Sequence, residues 1–131
     1  MNTPDLHGIN QFRLEGEYWS IGYAGELYRL RDAKGLRYIS YLLRRPGERL
    51  AATVLVELLE GALAAKEETP PASSRDPELA RVKVTRAIKA ARRRIGVCSA
   101  PLSAHFDASL RTGSSCSYAP DPRLPIVWEL D

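Results

Sequence analysis

Residues 81–95, RVKVTRAIKAARRRI, constrain the fold of this chain more than any other stretch. Seven of the fifteen are Lys or Arg and none is acidic, in a chain whose net charge is only +3. The apolar residues Val84, Ile88, Ala91 and Ile95 recur at spacings of four, three and four. That recurrence is one stripe of an α-helix. At 100° per residue the four side chains fall within about 60° of arc. Arg86, Lys89 and Arg93 lie opposite the stripe, with Thr85 and Arg92 on its flank. The spacing therefore predicts a helix with one face in a core and a cationic face in water. Such a helix can read DNA, or it can be an ordinary solvated charged face.

The charge is concentrated in this segment. Residues 1–60 carry eight basic and eight acidic side chains, whereas residues 81–95 carry +7. A compact positive patch on a nearly neutral body is a footprint for a polyanion. The 131 residues suit a single domain with a real core. No apolar run approaches the roughly 20 residues of a membrane span. The opening MNTPDLHGIN has neither a basic n-region nor an apolar h-region, so no secretory signal is expected there. A cytoplasmic location is expected. Cys98 and Cys116 are too few for a disulfide framework and are expected to be free thiols in or near the core.

Taken in order, residues 1–10 read as a flexible arm, and 11–131 as one domain. Residues 11–31 predict a small antiparallel meander, with turns at Gly16-Glu17 and Ala24-Gly25. Asp32 offers an N-cap to a helix whose stripe is Leu36, Ile39, Leu42 and Leu43. Pro46-Gly47 stops it. Gly35 inside that helix is unfavourable by roughly 1 kcal/mol, which suggests close packing against the sheet. Glu48 to Leu50 reads as extended, and Val54, Leu55, Leu58 and Leu59 predict a second helix closed by Gly61. A long loop is expected over 62–76, with Pro70-Pro71 in it. Asp76 and Pro77 then cap and open the basic helix, which is expected to end at Gly96. Leu102, Phe106 and Leu110 suggest a short further helix, Ser115 to Tyr118 a strand, and Ile126 to Leu130 a final strand.

The order is sheet, helix, helix, basic helix, hairpin. It is the order of an α+β winged helix-turn-helix domain with a small N-terminal antiparallel sheet, three main helices and a C-terminal β-hairpin wing. The sequence resembles the effector domain of the OmpR/PhoB class of bacterial response regulators, and the related antibiotic-regulator (SARP) domain. LYRLRDAKGLRYISYLLRRPGERL is similar to that class's strand, first helix and following turn. AATVLVELLEG is similar to its second helix, ARVKVTRAIKAARRRIG to its recognition helix, and SLRTGSSCSY to its wing. The likeness covers roughly residues 12–130. There are two departures: about 15 residues join the second and third helices, and Ser115-Cys116-Ser117 stands where the wing has its second glycine. The resemblance implies a bacterial transcriptional regulator that binds double-stranded DNA.

Other chemistries fit poorly. His105, Asp107, Ser103 and Ser109 are close in sequence but have no nucleophile elbow, so catalysis is not expected. Two distant histidines and two lone cysteines have no metal-ligand spacing. No cofactor is expected. Residues 111–115, RTGSS, lack a P-loop's Gly-Lys-Ser/Thr but could offer N–H groups and a guanidinium to a DNA phosphate. The aromatics of the first third read as packing rather than as base-stacking platforms.

The expected DNA contacts are Arg86, Lys89, Arg93 and Thr85 for bases or phosphates, and Arg81, Arg92 and Arg111 for phosphates. A homodimer is compatible with this reading. The alternative is a protein-interaction module of the same shape, its basic face gripping an acidic protein partner.

Overall fold

The computed structural model describes residues 10–67, 76–123 and 126–130. Three strands lead the chain: β1 (Asn10–Glu15), β2 (Tyr18–Tyr23) and β3 (Glu26–Arg31), paired antiparallel through two-residue turns. Gly16 has φ +70° in the first turn, and Ala24 and Gly25 have φ +51° and +83° in the second. Two consecutive positive φ values match the twist of a tight hairpin. In β1 the period-two pattern puts Phe12 in the core and Arg13 outside. The register sets Phe12 across from Ile21 and Leu14 across from Trp19.

Helix α1 (Lys34–Leu43) buries the expected stripe of Leu36, Ile39, Leu42 and Leu43. Its N-cap is Ala33 rather than Asp32. The Asp32 carboxylate is engaged elsewhere. It accepts from Trp19 Nε1 at 2.8 Å and from the Arg37 guanidinium at 2.7 Å, fastening β2 to α1. Burial works to raise the Asp32 pKa, but the hydrogen bonds from Arg37 and Trp19 outweigh it and hold the carboxyl below its ordinary value.

Gly35 packs against the third helix, not against the sheet. A Cβ at Gly35 would lie 1.9 Å from the Ala87 carbonyl oxygen. After the turn at Gly47, strand β4 (Leu50–Ala51) leads into α2 (Ala52–Glu67). Gly61 does not close α2. Its site is open, and the Ala-rich run after it consists of strong helix formers that carry the helix on to Glu67. The expected loop over 62–76 therefore loses its first six residues to helix. The rest of it up to residue 75, and residues 1–9 of the expected arm, lie outside the described residues.

Helix α3 (Pro77–Cys98) starts as the sequence predicts. Asp76 Oδ1 accepts from Glu78 N at 3.0 Å and Leu79 N at 3.4 Å, with Pro77 at the first position. Ala80, Val84, Ile88, Ala91 and Ile95 form its buried face. The helix runs two residues past Gly96. It stops at Ser99, whose N–H donates to Ile95 O at 2.7 Å while its Oγ caps α4 (Ala100–Ser109) by accepting from Leu102 N at 3.2 Å. The described residues thus hold four helices, the three main ones and the short further helix expected on Leu102 and Phe106, which is α4 and enters the core through those two side chains.

Strands β5 (Leu110–Arg111) and β6 (Ser115–Tyr118) form a short antiparallel hairpin. Strand β4 pairs with β6, Leu50 across from Cys116, giving a three-stranded sheet of order β4-β6-β5. The last strand, β7 (Trp128–Leu130), runs parallel to β1, so the N-terminal sheet is mixed, of order β3-β2-β1-β7. Rings of Phe12, Phe106, Trp128 and Tyr118 join the two sheets. Phe106 lies 6.3, 6.1 and 6.3 Å from Phe12, Trp128 and Tyr118. The Tyr118 hydroxyl accepts from Trp128 Nε1 at 3.0 Å and shares a hydrogen bond with His105 Nε2 at 2.7 Å. No described helix is long and apolar enough to cross a membrane.

Candidate nucleic-acid interface

Helix α3 gives its cationic side chains three different environments. Arg86, Lys89 and Arg93 are exposed and have no hydrogen bond or ion pair among the described residues. Lys83, which the opposed-face argument passed over, is exposed as well. Arg86 and Arg93 are seven residues apart, about 10.5 Å along the helix axis.

A second group is tied to the protein. Arg81 is bound by Glu78 one turn before it, with Nε 3.1 Å from Glu78 Oε2 and a second contact from its terminal nitrogen. Arg94 donates to the Arg31 carbonyl at 3.0 Å and holds α3 to β3. Any phosphate approaching Arg81 meets competition from Glu78.

The third group lies where α3 meets the turn of the β5–β6 hairpin. Thr85, Ile88, Lys89 and Arg92 line a cleft of about 140 Å³ together with Thr112. Arg92 reaches Asp107 of α4 with one terminal nitrogen at 2.8 Å. Its Nε is buried and has no hydrogen-bond partner, and neither has the buried Oγ1 of Thr85. Of the expected DNA contacts, the fold brings Thr85, Lys89 and Arg92 together at this cleft. It places Arg86 and Arg93 on the open face, Arg81 with Glu78, and Arg111 exposed on β5. In the sequence Thr112 stands out only within residues 111–115, a segment able to offer backbone N–H groups to a phosphate, with no sign of its place beside α3. Nothing local links that turn to the middle of α3, because the link runs through α4 and the hairpin.

Three of the four residues suggestive of a hydrolase are otherwise engaged. His105 Nε2 bonds Tyr118, Asp107 bonds Arg92, and the Ser109 hydroxyl donates to the His105 carbonyl at 2.6 Å. Burial holds the His105 pKa below its ordinary value. A larger cavity of about 670 Å³ lies beside Tyr23 and His105, which stack at 5.3 Å. Among its polar lining groups, Asp121 pairs with Arg123 and the Ser109 hydroxyl donates to the His105 carbonyl. The cysteines are both free. Cys116 sits in the core as expected, whereas Cys98 is exposed at the last residue of α3. The chain is a mixed α+β protein with a cationic helix beside a small hairpin sheet. Compared with family models, with curated proteins and with solved structures, it finds no match in any of the three.

Proposed function

We propose that this protein is a DNA-binding transcriptional regulator of winged-helix type, which docks α3 into the major groove of a duplex. The observation that carries the reading is the row of Arg86, Lys89 and Arg93, exposed and uncommitted among the described residues. An unpaired cation can give its full charge to a phosphate or its donors to a base edge. The reach of about 10.5 Å between Arg86 and Arg93 matches about three base-pair steps of 3.4 Å. The major groove, about 12 Å wide, admits a helix. The topology supports the same reading. A short strand between α1 and α2 pairs with the hairpin, as a wing sheet requires, and the hairpin presents Arg111 outward. Here α4 stands between α3 and the hairpin, so the hairpin meets the side of α3 near its middle rather than continuing from its end.

The test is binding to mixed-sequence duplex over a salt series. Affinity should fall with a log–log slope of about −0.9 for each phosphate neutralised, so four contacts would give roughly −3.6. A slope near zero would remove the proposal.

One observation favours a second reading. Leu79 and Val97 are 46% and 88% exposed near the two ends of α3. Exposed apolar side chains beside cations suit a protein surface better than a phosphate backbone. In that case the basic face grips an acidic protein partner, and DNA binding is weak and blind to sequence.

A further inference from the structure

We infer that the cavity beside Tyr23 and His105 is a binding site for a planar aromatic molecule that carries an oxygen acceptor. The inference does not rest on the nucleic-acid reading, and neither one decides the other.

The first observation is the size and lining of the space. The cavity holds about 670 Å³, within the roughly 300–1,000 Å³ of sites for small molecules. Its described walls are largely apolar: Ala108 of α4, Ala119 just after β6, Ile126 ahead of β7, and the rings of Tyr23 and His105. The short side chains at 108 and 119 leave room that larger ones would take.

The second observation is the flatness of one wall. Tyr23 stacks on His105 with centroids 5.3 Å apart and planes 20° apart, and on Trp128 at 5.8 Å and 16°. Three nearly parallel rings form one stack, and two of them line the cavity. A ligand ring can join it in the same offset way, since aromatic rings attract at centroid separations of about 4.5–7 Å. A saturated ring of similar size has no flat face to offer.

The third observation is a pair of reachable donors. Trp128 Nε1–H can only donate, so Tyr118 Oη accepts from it at 3.0 Å. The Tyr118 hydroxyl proton, on a side chain only 1% exposed, has His105 Nε2 at 2.7 Å as its acceptor. With Nε2 accepting, the neutral imidazole carries its proton on Nδ1. Burial lowers the His105 pKa, which favours that neutral ring. His105 Nδ1–H and the Tyr23 hydroxyl have no hydrogen-bond partner among the described residues. Both residues are half-buried, and neither atom is sealed from solvent as the unpaired Tyr28 hydroxyl is. Donors in a largely apolar wall call for an acceptor on the ligand. Arg123 is the one cation among the described lining residues, and Asp121 at 3.2 Å balances its charge, so the wall does not turn away a charged acceptor.

The experiment titrates the full chain, labelled with ¹⁵N, with 2-naphthoate. This probe has two fused planar rings and a carboxylate. It should shift the backbone amides of residues 23, 105, 108, 119 and 126 in a saturable way. Decahydro-2-naphthoate, which keeps the carboxylate and loses the flat rings, should bind at least about threefold more weakly, the loss of one stacking contact. 2-Naphthylmethylammonium, which keeps the rings and has no acceptor, should leave those amides unmoved. Tyr23→Phe removes an unpaired hydroxyl and keeps the ring, so the fold should hold. It should weaken 2-naphthoate about tenfold, the effect of one hydrogen bond to a charged group. Ala108→Leu, at an exposed position of α4, fills part of the cavity and should weaken binding as well. Circular dichroism checks both folds. No saturable shift with 2-naphthoate would overturn the inference. Equal binding of the saturated or the ammonium compound, or 2-naphthoate binding that neither Tyr23→Phe nor Ala108→Leu weakens, would overturn it too.

Discussion

Gly35 lies so close to the carbonyl of Ala87 that a Cβ on it would sit 1.9 Å from that oxygen and 2.8 Å from the Ala91 Cβ. The missing side chain is what lets α1 pack against α3, and so helps fix the orientation of the basic face. Gly35→Ala should therefore destabilise the protein by about 2 kcal/mol or more, even though Ala is the better helix former. Gly61 is the control. It is also helical but has no atom within 4 Å of a built Cβ. Gly61→Ala should stabilise by about 0.5–1 kcal/mol. Urea unfolding of both variants checks this, and equal effects would contradict the packing.

The Asp32–Arg37 pair predicts a specific pH dependence. The Asp32 pKa is lowered in the folded state. Its contribution is therefore present above the unfolded carboxylate pKa of about 3.9 and is lost as pH falls through the folded value. Asp32→Asn should cost about 2 kcal/mol at pH 7, because the Arg37 side chain, 14% exposed, loses its counter-charge. The gap between variant and wild type should narrow below pH of about 4. A gap that stays constant down to pH 3 would show that Asp32 contributes by shape alone.

The two thiols should differ in reactivity. Cys98 is exposed, while Cys116 is buried and its pKa is raised by that burial. A disulfide reagent at neutral pH should modify one cysteine quickly, Cys98, and the second only on unfolding. Equal rates would place Cys116 nearer solvent than the fold does.

Much of α3 could be read from the sequence, because the reading needed only local facts. The buried face of Val84, Ile88, Ala91 and Ile95 follows from a 3.6-residue period, and Asp76-Pro77 from capping chemistry. Asp32 was harder. Its type and place suit an N-cap, but Trp19 and Arg37 compete for the carboxylate, and Trp19 is distant in sequence. Gly35 announced a close approach without naming the neighbour, since nothing local tells a sheet from a helix whose contact residue, Ala87, lies 52 positions further along the chain. The parallel pairing of β7 with β1 joins the two ends of the chain and has no local signature. The cleft at Thr112 was hidden for the same reason: a hairpin turn meets α3 only after α4 has folded back.

The separate states of the cations predict separate salt effects. Arg111→Ala should weaken binding to all duplexes alike and lower the salt slope by about 0.9. Arg81→Ala should have a smaller effect, because Glu78 already holds its guanidinium. Fluorescence anisotropy on two unrelated duplexes over a salt series measures both. A larger slope change for Arg81→Ala than for Arg111→Ala would contradict the assignment.

The most direct measurement is selection from a random-sequence duplex library at moderate salt. It should be run with the wild type and with Arg86→Ala, Lys89→Ala and Arg93→Ala. None of these substitutions touches the buried face of α3, so circular dichroism should show the fold intact. The wild type should enrich a defined sequence. At least one of the three variants should relax preference at a single base position, by the roughly 1–3 kcal/mol that a good bidentate contact discriminates. A wild-type protein that enriches no sequence would contradict the account, and the basic face of α3 would then belong to an acidic protein partner.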